Sequence, residues 1–311
     1  LPDLLVVALG GNALLPPSSL SFEAQQQRVR RTAKLLASVL LEGNVRMAIT
    51  HGNGPQVGLQ LLRYEYAKEV AKPYPLYVAV AETQAQIGLA LKLALEEELR
   101  ALGVEGEVVP LLSFVVVRED ESILRPVKPI GPYYSAEEAR RLQLELGWSF
   151  AEQQGKYRRL VPSPEPEEVV EAGLIARLLE LGKVPVACGG GGVPVVRKGR
   201  ALVPIEGVVD KDLASERLAS QLGARALIML TDVKGAYLHF GTPRERLLRE
   251  VTAEELERYY QQGHFAEGSM GPKVRAAIRF VRQTGNTAVI AKLEDLAMAL
   301  RGEAGTRVVS S

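Results

Sequence analysis

The sequence predicts an α/β protein: a three-layer αβα sandwich with a mainly parallel central sheet and a small protruding subdomain. Two observations carry this reading. Short β-branched runs alternate with long amphipathic stretches along most of the chain, the pattern of strands and crossover helices around a parallel sheet. The stretch from Arg118 to Tyr157 breaks the alternation, because it contains Pro126, Pro129 and Pro132 and the only tryptophan, Trp148. It is expected to form a hairpin-and-helix insertion with short strands, and Trp148 is expected to pack it onto the body.

Each element has its own signature. Leu4–Leu9 (LLVVAL) is an unbroken apolar run of strand length, as in a strand buried on both faces. It ends at Gly10-Gly11-Asn12. Phe22 to Glu42, rich in Gln, Arg, Ala and Leu, predicts a helix. Val45–Thr50 is the second strand and ends at His51-Gly52-Asn53-Gly54. A long helix is expected from about Val78 to Leu102, with Ala and Leu at helical spacing and Gly103 at its end. Val108–Val117 returns to strand. After the insertion, a helix from about Glu167 to Leu181 leads into a strand, Val184–Cys188, that runs into Gly189–Gly192. Val193–Pro204 reads as a hairpin turning at Lys198-Gly199-Arg200. Asp210–Leu222 is a helix and Ala226–Thr231 a strand ending at Asp232. Helices at about Ala253–Gln262 and Gly271–Gln283 precede the strand Thr287–Ala291. A boundary near Gly207 would divide the chain into 1–207, which holds the Gly/Asn turns, and 208–311, which holds the Asp/Lys motifs.

Composition narrows the function. The 311 residues are 47% apolar and 24% charged, an ordinary globular balance that excludes a disordered, collagen-like or disulfide-scaffold protein. Lys plus Arg is 38 against 37 acids, a formal charge of +1, so neither nucleic acid nor an acidic membrane surface is an expected partner. One cysteine fits a reducing, cytoplasmic setting. Three histidines and that cysteine are too few for a structural zinc site. The ten-residue apolar run from Val108 to Val117 is too short to span a bilayer. The leading LPDLLVVALGG carries Asp3 and no basic segment, so it is expected to be a strand rather than a signal peptide. Arg outnumbers Lys 26 to 12, and Glu outnumbers Asp 31 to 6. Generic surface is therefore filled with Arg and Glu, which singles out Lys, Asp and Asn in Gly-rich turns.

Three strands end in glycine clusters and a fourth in Thr231-Asp232. In an open α/β sheet, ligands bind beyond the carboxyl ends of the strands. Glycine there lets an oxyanion approach the backbone. One Gly pair is equally well a tight turn; three clusters together point to a polyanion. The candidate anion-binding positions are Gly10, Gly11, Asn12, Gly52, Asn53, Gly190 and Gly191. Neither G-x-x-x-x-G-K-[ST] nor G-x-G-x-x-G is present, which disfavours a P-loop and a nicotinamide site. Lys211 and Lys273 both sit at predicted helix starts, where a cation opposes the macrodipole unless an anion is bound. A solvated lysine would explain either one alone. Asp210 would orient both ammonium groups or serve as an N-cap, a role also open to Asp212. Lys128 lies between prolines in Pro-Val-Lys-Pro-Ile-Gly-Pro, presented either to a small anionic substrate or simply at a surface turn. His51 is expected to be a structural hydrogen-bonder, Cys188 a buried filler and Arg158-Arg159 part of a solvated edge strand. His239 and His264 receive no role.

The segments ALGGNAL (Ala8–Leu14), THGNGPQVG (Thr50–Gly58), KPIGPYY (Lys128–Tyr134), ACGGGGVPV (Ala187–Val195), DKDLAS (Asp210–Ser215) and GHFAEGSMGPKV (Gly263–Val274) resemble, in order over almost the whole chain, the carbamate kinases of the amino-acid kinase superfamily. The resemblance implies an ATP-dependent kinase, usually a homodimer, that converts carbamate and ATP to carbamoyl phosphate and ADP, with Mg²⁺ travelling on ATP. On that resemblance Gly10, Gly11, Asn12, Gly52 and Asn53 would hold the transferring phosphoryl group and carbamate. Lys128 would reach over carbamate, and Lys211 and Lys273 would neutralise phosphate oxygens with Asp210 orienting them. Thr231, Asp232, Tyr237, Met270 and Gly271 would line the nucleotide side. The competing expectations are another acceptor within the superfamily (an acidic amino acid, a nucleoside monophosphate or a phosphonate) and a non-catalytic nucleotide-binding module. The presence of all three lysines argues against the latter.

Overall fold

The computed structural model describes residues 3–14, 21–42, 45–153 and 155–310. The chain opens with β1 (Asp3–Leu9), α1 (Phe22–Glu42), β2 (Val45–His51), α2 (Gly54–Ala67), α3 (Leu76–Ala101), β3 (Val108–Pro110) and β4 (Phe114–Val117). The insertion is β5 (Pro126–Tyr134), α4 (Ala136–Leu146), β6 (Ser149–Gln153) and β7 (Lys156–Pro162). It returns through β8 (Pro166–Val169), α5 (Ala172–Glu180), β9 (Val184–Val186), β10 (Val193–Lys198), β11 (Ala201–Pro204) and α6 (Lys211–Gln221). The last part is β12 (Ala226–Thr231), β13 (Tyr237–Leu238), β14 (Arg246–Leu247), β15 (Glu250–Thr252), α7 (Ala253–Gln261), α8 (Met270–Thr284), β16 (Thr287–Lys292), α9 (Leu296–Leu300) and β17 (Thr306–Val309).

Alternation along β1 creates the layers. Leu4, Val6 and Ala8 join one core cluster with Ile175 of α5, Leu213 and Leu218 of α6, and Val274 and Phe280 of α8. Leu5, Val7 and Leu9 join the other with Val29 and Leu36 of α1, Leu91 and Leu95 of α3, and Leu296 of α9. The sheet between them has eight strands in the order β15-β17-β16-β12-β1-β2-β9-β3. Only the β16–β17 pairing within it is antiparallel. Within this sheet the strands after residue 207 (β12, β15, β16 and β17) lie on one side of the β1–β12 pairing and those before it (β1, β2, β3 and β9) on the other, and that pairing keeps the sheet continuous.

Several expectations are corrected. After the expected turn His51-Gly52-Asn53-Gly54 the chain enters a helix that was not expected: α2 begins at Gly54, with Pro55 in its first turn, where the missing N–H costs nothing. Val108–Val117 is two strands: β3 ends the large sheet, and β4 enters a second sheet of order β11-β10-β4-β8. The expected helix from Glu167 begins as β8 and turns helical only at Ala172. The insertion's strands are not all short, since β5 runs nine residues in a sheet of order β5-β7-β6. Arg158 and Arg159 therefore sit on a central strand, not an edge, and the Arg159 guanidinium lies 3.6 Å over the Trp148 ring. Trp148 packs inside the subdomain with Tyr134, Leu142 and Phe150, and that small core reaches the body through Leu62 of α2.

The subdomain crosses the body at a backbone contact. A Cβ on Gly58 of α2 would lie 1.8 Å from Cα of Gly131 in β5, so glycine is required there. Among the described residues α3 is the one helix long and apolar enough to cross a bilayer. Its inward residues fill the core between the sheet and α1, which makes it a core helix.

Candidate active site

The carboxyl ends of β1, β2 and β12 lie side by side in the large sheet, and α6 and α8 begin on the same rim. Gly52 shows how closely the turns gather. A Cβ on it would stand 3.4 Å from Cδ of Lys211 and 4.0 Å from the backbone nitrogen of Gly11. Gly10 is required by crowding, since a Cβ there would meet the Leu230 carbonyl of β12 at 2.9 Å. At Gly11 and Gly54 nothing lies within 4 Å of such a Cβ, so the surface above them is open to a ligand. The side chain of Asn12 lies outside the described part of the structure.

Three lysines from three elements meet two carboxylates. Lys211 Nζ donates to Asp212 Oδ1 at 2.8 Å, and Lys273 Nζ donates to Asp212 Oδ2 at 3.0 Å and to the Ser269 carbonyl at 3.3 Å. Lys128 Nζ donates to Asp210 Oδ2 at 3.1 Å and to the Val209 carbonyl at 3.0 Å. It is thus Asp212, rather than Asp210, that pairs with both Lys211 and Lys273. Asp210 instead caps α6, its Oδ1 accepting from the Asp212 N–H at 2.9 Å, and its other oxygen holds Lys128. The reason is helix geometry: an N-cap side chain folds back onto the first turn, and only Asp212 projects between α6 and α8. Sequence adjacency does not show that direction, although the DKD spacing marked both acids.

Burial sharpens these charges. The side chain of Asp212 is 4% exposed, and those of Lys211 and Lys273 are 12% and 11% exposed. Burial alone would raise the Asp212 pKa, but the two ammonium groups hold it well below the carboxylate range. Burial and the neighbouring Lys273 pull Lys211 below the ordinary lysine value, against the pull of Asp212. For Lys273 burial again opposes the charge, and Asp212, with Asp210 and Asp232 behind it, carries the pKa above the ordinary value. Among the described residues no three His, Cys, Asp or Glu side chains converge as a metal site.

Several expected donors are engaged elsewhere. The Gly52 N–H donates to the Leu9 carbonyl at 3.2 Å. The Asn53 amide is 2% exposed and donates to Thr83 Oγ1 at 2.9 Å. What α2 leaves for a ligand is its first-turn N–H groups, because Asn53 makes no side-chain cap. Gly190 and Gly191 are corrected as anion-facing positions, since both are buried. A Cβ on Gly190 would fall 2.1 Å from the Asn53 amide nitrogen, and one on Gly191 would fall 2.3 Å from the Val209 carbonyl. The tract is a packing platform under Asn53. His51, 1% exposed, has its pKa lowered to about 4 by burial and turns Nδ1 to the Gly52 carbonyl at 3.0 Å. Cys188 is buried, and burial pushes its thiol far above the usual range, so it is no nucleophile.

The nucleotide-side candidates come from several elements. Thr231 ends β12, and Thr231 and Asp232 share a recess with Gly10, Arg28 and Lys292. Tyr237 begins β13 with its ring 5.6 Å from that of Phe240. Met270 and Gly271 open α8, one turn ahead of Lys273. His239 and His264 stack edge to face 4.7 Å apart.

The sequence model of the amino acid kinase family matches residues 3–292. A carbamate kinase of Thermococcus kodakarensis is 47% identical over 98% of both chains, and one of Pyrococcus horikoshii is 45% identical over 99% of both. A solved structure from Aeropyrum pernix K1 superposes with a TM-score of 0.94 at 48% identity, covering 99% of this chain and 100% of that one. The carbamate kinase of Giardia lamblia bound to AMP-PNP superposes with a TM-score of 0.91 at 35% identity over 99% of each chain. The chain belongs to the amino acid kinase family, and within it to the carbamate kinases.

Proposed function

We infer that this chain catalyses reversible transfer of the γ-phosphoryl group between ATP and carbamate, giving ADP and carbamoyl phosphate. The observation that carries the reading is the buried Lys211–Asp212–Lys273 bridge on the rim where Gly11, Gly52 and the start of α2 meet. The acceptor oxygen is already anionic, so no general base is needed; the obstacle is the crowding of negative charge. Catalysis then consists of positioning and electrostatic stabilisation. Lys211 and Lys273 face the charge that builds on phosphoryl oxygens, and Asp212 keeps both ammonium groups aimed. The first turn of α2 and the open backbone at Gly11 hold the acceptor and the transferring group. Lys128, carried by β5, closes over carbamate from its seat on Asp210.

The nucleotide is held by residues 208–311 through Thr231, Asp232, Tyr237, Met270 and Gly271, and the acceptor by residues 1–207. Mg²⁺ arrives on the ATP phosphates and supplies charge neutralisation there. Asp210 and Asp212 are each committed to lysines, so the ATP phosphates rather than these carboxylates would ligate such an ion. Two copies of the chain associate as a homodimer. The apolar groove between α1 and α3, lined by Phe22, Leu89 and Leu93, supports this, and light scattering of purified protein measures it. A cytoplasmic setting fits a chain whose single cysteine is buried.

A coupled ADP assay against a panel of acceptors tests the reading. Turnover with an ammonium carbamate solution is expected. Turnover with acetylglutamate or UMP but not with carbamate would overturn it, as would ATP binding without turnover.

A further inference from the structure

Two buried hydroxyls outside the lysine–carboxylate cluster join the end of β2 to the start of α6. Ser215 Oγ donates to the Lys211 carbonyl at 2.6 Å, and Thr50 Oγ1 lies 2.6 Å from Ser215 Oγ. Both residues are 0% exposed. A serine hydroxyl has one hydrogen. With that hydrogen on the Lys211 carbonyl, Thr50 must be the donor to Ser215. The chain therefore has one direction: Thr50 O–H to Ser215 Oγ, then Ser215 O–H to the Lys211 carbonyl.

The ends of this chain matter. Thr50 stands two residues before Gly52, at the strand exit where the turns of the site gather. Lys211 opens α6 and is followed at once by Asp212, which holds both Lys211 and Lys273. The same strand exit also lies beside the Lys211 stem, since a Cβ on Gly52 would stand 3.4 Å from Cδ. A helix can slide along its axis or turn against a sheet with little loss of apolar contact. A directed pair of short hydrogen bonds in a dry interior cannot, because a shift leaves a buried hydroxyl unpaired.

We propose that Thr50 and Ser215 are positioning residues for phosphoryl transfer: their directed hydrogen-bond chain sets the first turn of α6 against the β2 exit, and so fixes the Lys211–Asp212–Lys273 bridge over the Gly52 turn. Neither residue touches substrate. Because the lysines act on the charge that develops during transfer, displacement of α6 lowers kcat with little effect on nucleotide affinity. The proposal rests on the kinase reading above.

The test is Thr50→Val, which keeps the branched shape and removes only the hydroxyl, compared with Thr50→Ser, which keeps the hydroxyl. The expected result for Thr50→Val is a 10- to 100-fold lower kcat with carbamate, a KM for ATP within threefold of the parent, and an unchanged circular dichroism spectrum. Thr50→Ser is expected to retain most of kcat. The double variant Thr50→Val/Ser215→Ala should be little worse in kcat than Ser215→Ala alone, since each breaks the same chain. Parent-like kcat in folded Thr50→Val overturns the proposal, as does an equal loss in Thr50→Ser, which would report packing and not the hydroxyl. Should Thr50→Val fail to fold, Ser215→Ala carries the same comparison, and parent-like kcat in it is equally fatal. An inactive parent protein would instead refute the kinase reading, so the two failures are distinct.

Discussion

Take away the Asp212 carboxylate, and two buried ammonium groups lose their shared counter-ion. An unpaired buried charge costs about 3–5 kcal/mol, so Asp212→Ala is expected to shift the urea midpoint sharply downward. Asp212→Asn keeps the shape and is expected to fold, but its neutral amide cannot pair with both cations, and kcat should fall at least 100-fold. A coupled assay and urea titration check both outcomes. His51 carries a second prediction. Burial holds its folded pKa at about 4, below the ordinary histidine value of about 6.5, so between those values the unfolded chain binds a proton that the folded chain does not. Stability is therefore lost as pH falls through that window, by about 3 kcal/mol at its lower end. His51→Asn should remove this part of the pH dependence, and urea titrations at pH 7 and pH 4.5 compare the two proteins. The sequence singled out the residues that meet here, because lysines at helix starts beside Gly and Asp are unusual in a chain that decorates its surface with Arg and Glu. It did not distinguish Asp210 from Asp212, because which acid caps and which projects depends on side-chain direction across α6 and α8. Nor could it show that the Asn53 amide is used up on Thr83, 30 residues away.

Helix α2 and strand β5 meet where neither can carry a side chain. Gly58→Ala places a methyl group against the backbone of Gly131, and backbone cannot rotate out of the way. The expected cost is about 1–3 kcal/mol, together with looser seating of the subdomain and of Lys128. Faster limited proteolysis within residues 118–157, and a rise in KM for carbamate exceeding that for ATP, are the expected readouts. An unchanged digestion pattern would show that the crossing tolerates the methyl group. The same glycines explain why α2 was hidden in the sequence. Gly54, Pro55 and Gly58 read as turn punctuation, yet Pro55 sits where a helix accepts proline and Gly58 answers to a partner distant in the chain. Strands β3 and β4 merged into one apparent run for a related reason. Both are apolar, and only the crossing at Leu111–Ser113, where Ser113 and Gln84 exchange two hydrogen bonds, moves the chain between sheets. By contrast α1, β1 and β12 were legible nearly to the residue, because each has one uninterrupted period.

The large sheet brings the two parts of the chain to one edge. Its pairing of β1 with β12 sets the glycine turns of the first part beside the Thr231-Asp232 end of the second, and α6 and α8 place Lys211 and Lys273 over that seam. The layer order and the parallel sheet could be read from alternation alone. The antiparallel β17 and the three-stranded subdomain sheet could not, since short strands that pair with distant partners carry little local signal. The proposed chemistry depends on a cluster that exists only in the folded molecule, with three lysines separated by 83 and 62 positions in sequence meeting two acids. The most direct test is ³¹P NMR of carbamoyl phosphate and ADP converting to ATP, run with the parent protein and with Lys211→Ala and Lys273→Ala. The expected result is rapid ATP formation by the parent and rates lower by several orders of magnitude in both folded variants. Near-parent rates in either variant would contradict the central claim that the buried lysine pair carries the transfer.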